Sequence, residues 1–135
     1  MNTNRETLIC QDLVNFIVIK TGFSNPTTIS SQTTINYDIG LDGDDADEFM
    51  EAYFDHFMVE CGNYDWSRYF GEEGFNPISV LIEILKRKPV PKPLSFGMLK
   101  LAAKMGKWDT EILEQAYLNN NYVNHPDNKH DKTPV

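Results

Sequence analysis

Four aspartates, Asp42, Asp44, Asp45 and Asp47, fall within six positions of this 135-residue chain. Carboxylates at that density can ligate a hard divalent cation. A calcium loop of the helix–loop–helix type opening at Asp42 would need glycine at its sixth position, for the sharp turn, and a bidentate glutamate at its twelfth. Those positions hold Asp47 and Tyr53, so the motif fails and the cluster reads as a solvated acidic face. His56, His125 and His130 have no partner at the helical spacing of metal ligands, and no metal site is expected from them. There is no Gly-x-Ser-x-Gly, no phosphate-cradling glycine loop and no paired-cysteine motif. The carboxylates thus lack a nucleophile or base to work with. The expectation is a protein without catalytic residues or cofactor, and not an enzyme. Cys10 and Cys61 lie in apolar stretches and read as buried free thiols of a reduced cytoplasmic protein.

Charge narrows the partners. The net charge is −8, which argues against nucleic acid. Twelve acidic residues and one basic residue, Arg68, lie between Asp38 and Glu73. From Lys86 to Lys107 there are seven basic residues and no acidic ones. These faces can be merely solvated or can pair with each other. No basic-then-apolar leader opens the chain and no apolar run approaches a membrane span, so neither membrane nor export is expected.

The elements that position these charges are helical. Leu8, Ile9, Leu13, Phe16, Ile17 and Val18 keep three-and-four spacing and predict a first helix over about 5–21, stopped by Gly22. The Ser-, Thr- and Asn-rich stretch 23–37 reads as a long loop pegged by Ile29 and Ile35. A second helix follows. Its core stripe is Ala46, Phe49, Met50, Tyr53, Phe54 and Phe57, its outer face carries Asp44, Asp47, Glu48, Glu51 and Asp55, and Gly62 ends it. Acid in the first turn complements the helix dipole, but Asp55 lies too far along to benefit. Asp65–Phe70 reads as a short helical turn whose aromatics plug the core. Pro77 opens a third helix with Ile78–Leu85 as its body, and Pro89, Pro91 and Pro93 make an extended spacer. Ser95 caps a last long helix through Met98, Leu99, Ala102 and Met105, ended by Gly106. A short amphipathic helix is expected over 109–118. Residues 119–135 read as a disordered polar tail appended to a helical domain spanning 1–118.

In this order the elements resemble an acyl carrier protein. That family carries Asp-Leu-Gly-x-Asp-Ser-Leu at the start of its second helix. Here Asp38-Ile39-Gly40-Leu41-Asp42, with Asp45, Glu48, Ala52 and Phe57, matches it or supplies chemical equivalents, and Leu94-Ser95-Phe96-Gly97 is similar to the entry to the family's final helix. The specific part is 38–57. The remainder looks like an uncharacterised bacterial family of carrier-like proteins. The resemblance implies an all-α, acyl-carrier-like antiparallel bundle of long helices with a short C-terminal extension. It also implies that the acidic second helix docks on basic patches of partner proteins.

The departure lies at the attachment point. The carrier's phosphodiester to phosphopantetheine is built on a serine hydroxyl, and here Asp42 is followed by Gly43. The next residues are Asp44, Asp45 and Ala46, so no nearby hydroxyl or thiol substitutes. The resulting expectation is a non-enzymatic, carrier-like interaction protein that carries no prosthetic arm and meets a basic protein surface through Asp42, Asp44, Asp47, Glu48, Glu51 and Asp55. Composition fits a second reading as well, a small acidic inhibitor of the immunity or antitoxin type that blocks a basic toxin or enzyme.

Overall fold

The computed structural model describes residues 2–70 and 91–122. The helix expected at 78–85, the basic residues Lys86, Arg87 and Lys88, and Pro89 lie outside them. The described residues are all-α: α1 (Asn2–Thr21), α2 (Gly43–His56), α3 (Trp66–Tyr69), α4 (Phe96–Met105) and α5 (Thr110–Asn119), with a 3-10 turn at Pro26–Thr28. Two isolated bridges, Thr34 with Ser95 and Glu60 with Lys107, are their only β pairing.

Helix α4 is the hub. Ser95 accepts a hydrogen bond from Met98 N through its side chain, and Gly106 ends the helix at φ 77, as the sequence predicts. Seven of its residues are buried, Phe96 to Leu99 and Leu101 to Ala103, so the helix is apolar on nearly all sides and is wrapped by its neighbours. It packs on both α1 and α5. Helix α1 contributes Leu13, Phe16 and Ile17 to the core. Leu8, expected in the same stripe, is 65% exposed, while Ile9 and Cys10 beside it pack against the core.

Helix α2 joins the hub through a buried phenol: Tyr53 donates its hydroxyl to Leu99 O at 2.7 Å. Phe16 meets Phe49 and Phe57 at ring centroids of 5.3 and 5.6 Å, which ties α1 to α2. The aromatics of 64–70 do plug the core: Tyr64, Tyr69 and Trp108 pack edge-on or stacked within 6.0 Å of one another. The end of α2 differs from expectation. Phe57 is its C-cap and Met58, at φ 55, takes the left-handed position that glycine usually holds. Gly62 serves another purpose, since a Cβ there would come within 2.1 Å of Trp108 O. Glycine lets the two backbones touch, and the bridge of Glu60 to Gly106 and Trp108 forms beside it.

The loop 23–42 is ordered by long-range hydrogen bonds. Ile35 is fully buried and Ile29 partly so, as pegs. Backbone bonds run from Ile35 N to Leu94 O, Phe96 N to Thr33 O and Gly97 N to Ser31 O, at 2.7–2.8 Å. Asn36, 1% exposed, completes the seam. Its amide donates to Tyr69 O (2.8 Å) and Lys92 O (2.7 Å), and its oxygen accepts from Leu94 N (3.2 Å). One side chain thus satisfies three backbone groups from two segments.

Candidate functional site

Helix α2 presents the candidate face. Ala46, Phe49, Met50 and Tyr53 are buried, and this fixes the rotation of the helix. Asp44, Asp47, Glu48, Glu51 and Asp55 are consequently turned to solvent, together with Asp45, while Asp42 is half-buried at the N-cap. Apart from Asp42, the predicted residues therefore share one outward surface.

That surface is electrostatically one-sided. Asp44–Glu48, Asp47–Glu51 and Glu51–Asp55 are like-charged pairs four residues apart, each destabilising by roughly 0.2–0.5 kcal/mol. Dipole complementation offsets this only in the first turn, at Asp44 and Asp45. No basic residue lies on α2 apart from His56 at its end. His56 is turned to the other side, where its Nε2 lies 3.1 Å from Asp12 on α1 and its ring stacks on Phe16 at 5.3 Å. Among the described residues none of Asp44, Glu48, Glu51 and Asp55 forms a salt bridge.

Arg68, the one basic residue of the acidic segment, is committed elsewhere. Its guanidinium grips Glu114 of α5 with two bonds, Nε to Oε2 at 2.5 Å and Nη2 to Oε1 at 2.7 Å, and Tyr69 donates its hydroxyl to the same carboxylate at 2.8 Å. Burial alone would raise the Glu114 carboxyl, but the bonds from Arg68 and Tyr69 and the Arg68 charge hold it below its ordinary range. Burial and the Glu114 carboxylate push the Tyr69 hydroxyl well up. This clamp fastens α3 to α5. Sequence reasoning missed it, because nothing at Arg68 or Glu114 marks a partner 46 residues away.

The N-terminus of α2 opens on a left-handed glycine. Gly43 sits at φ +60, and beyond its chain neighbours and its own helix backbone nothing lies within 4 Å of where a Cβ would be. A serine would have room there but the wrong backbone. Asp42, extended at φ −157, does not cap the helix with its side chain.

Elsewhere the described residues offer little to bind a cofactor. They hold no group of three or more His, Cys, Asp or Glu side chains that could take a metal ion. No helix among them is long and apolar enough to cross a membrane. Cys10 is half-buried and Cys61 exposed, so the expectation of two buried thiols is corrected: Cys61 precedes the Gly62 contact on a surface turn.

A family model described as a protein of unknown function (DUF1493) matches residues 7–110. No curated protein and no solved structure matches the chain.

Proposed function

The chain belongs to the DUF1493 family of unknown function, and from that premise we propose that it is a non-enzymatic, carrier-like interaction protein. It docks a basic protein surface through α2 and carries no phosphopantetheine arm. The observation that carries this reading is the like-charged, solvent-facing acid of α2. Three like-charged pairs stand on an exposed face, and among the described residues none of Asp44, Glu48, Glu51 and Asp55 forms a salt bridge, while Arg68 is engaged with Glu114. A basic partner would relieve that repulsion on binding and be steered toward the face beforehand. The core side of the helix is complete without these residues, so their acidity is not needed for packing.

The resemblance to acyl carrier proteins supports the choice of helix, and Gly43 supports the absence of the arm. Gly43 opens α2 at φ +60, a backbone that disfavours an L side chain, and glycine has no oxygen to modify. Two experiments test the reading. Incubation with a promiscuous phosphopantetheinyl transferase and coenzyme A should leave the protein's mass unchanged, and a gain at any residue would sink the second half of the proposal. A native pull-down with mass spectrometry, run beside the Glu48→Lys/Glu51→Lys chain, should retain a basic partner on the wild type alone. Capture that is indifferent to the reversal would mean that the face is only solvated.

A further inference from the structure

Gly97 is glycine for no reason its own backbone supplies. It is the second residue of α4, where glycine is among the weakest helix formers, and it has none of the positive φ seen at Gly22, Gly40, Gly43, Gly62 and Gly106. What it accommodates is a ring. A Cβ at Gly97 would lie 2.5–2.7 Å from Cζ, Cε1 and Cε2 of Tyr122, so the phenol lies flat against the bare α-carbon. The hydroxyl of that phenol is held as well. Tyr122 donates to Gln32 Oε1, and its oxygen lies 3.0 Å from Ser95 Oγ. Ser95 Oγ accepts from Met98 N, which leaves its proton free to be given to Tyr122. The same Gln32 amide donates to Tyr117 O at 3.2 Å, so one side chain of the loop grips both ends of the segment 117–122.

We propose that Gln32, Ser95 and Gly97 form a seat for the Tyr122 phenol, and that Tyr122 is a strap fastening the C-terminal segment across the seam between the loop 23–42 and α4. The seat is built from residues inside the family-matched stretch and its occupant comes from beyond it. The closure joins positions 90 residues apart in the chain. Of the tail expected over 119–135, residues 123–135 lie outside the described residues; ahead of them Asn121 N bonds to Ala116 O and Tyr122 is half-buried. The strap is independent of the α2 docking reading and stands or falls without it.

The test uses the full chain and its NMR spectrum. With the ring seated, the Gly97 α-protons are shifted upfield by the ring current, and Tyr122→Ala returns them to ordinary values. Amide exchange at Asn120 and Asn121 rises roughly tenfold in Tyr122→Ala, the effect of losing one to two net hydrogen bonds and a ring contact. Gly97→Ala, which displaces the ring without touching it chemically, produces the same rise, and the double variant exchanges no faster than either single one. Tyr122→Phe keeps the ring-current shift but speeds exchange by less, and it decides the matter if the alanine variant does not fold. Ordinary Gly97 shifts in the wild type, or additive effects in the double variant, would overturn the proposal.

Discussion

Replacing Gly43 by serine restores the residue a carrier protein would have and should weaken the fold. The backbone there is left-handed, φ +60, a conformation that costs an L-residue about 1–2 kcal/mol. No residue from elsewhere in the fold lies within 4 Å of the new Cβ to add a steric penalty. Against this, removing a glycine stiffens the unfolded chain and recovers about 0.4–1 kcal/mol. The net expectation is a loss of about 1 kcal/mol, read as a lower urea midpoint at unchanged slope. Gly43→Asn is the control, because asparagine tolerates the left-handed region. Its loss should be clearly smaller than that of serine, although neither side chain meets a neighbour. Equal losses for the two, or a stabilising serine, would refute the argument that backbone conformation holds glycine at this position. The serine variant should also remain unmodified by the transferase, since its hydroxyl would stand on a left-handed backbone beside the Asp44 charge.

Two further expectations concern the seams of the fold. Asn36→Leu leaves Tyr69 O, Lys92 O and Leu94 N without their partner, and it should cost at least about 2 kcal/mol in denaturant unfolding. A loss below about 0.5 kcal/mol would mean that those groups find other partners. The Glu114 carboxyl is held below its ordinary 4.5, so its clamp adds stability that is present above that pH and fades as pH falls through the folded value. Glu114→Gln should therefore flatten the loss of stability on acidification below about pH 4.5, in urea titrations compared with the wild type, while lowering stability at pH 7. An unchanged acid limb would remove Glu114 from the acid response.

Local patterns in the chain carried much of this architecture. The stripe of α2, the Ser95 and Gly106 caps of α4, the Ile29 and Ile35 pegs and the shared outward face of the acidic residues follow from spacing and capping rules that act within a few residues. What was not legible depends on distant partners. Asn36 looked like one polar loop residue among many, yet it closes bonds to residues 33, 56 and 58 positions away. Arg68 read as an isolated cation until Glu114 stood opposite it. The glycine rules misplaced the end of α2, because the fold puts Met58 in the left-handed position, at 84% exposure, and uses Gly62 for its contact with Trp108. Gly97 gave no hint of Tyr122, since its role is to lack a side chain that only a packed structure would meet.

The central claim is that the acid of α2 is a docking charge. Its most direct measurement is the association rate of the captured partner, followed by stopped flow across ionic strength, for the wild type and for Glu48→Lys/Glu51→Lys. The claim predicts a wild-type rate that falls steeply with salt, and a reversed chain that associates roughly tenfold or more slowly at low salt with a flattened or inverted dependence. Equal rates with equal salt dependence for the two chains would contradict it.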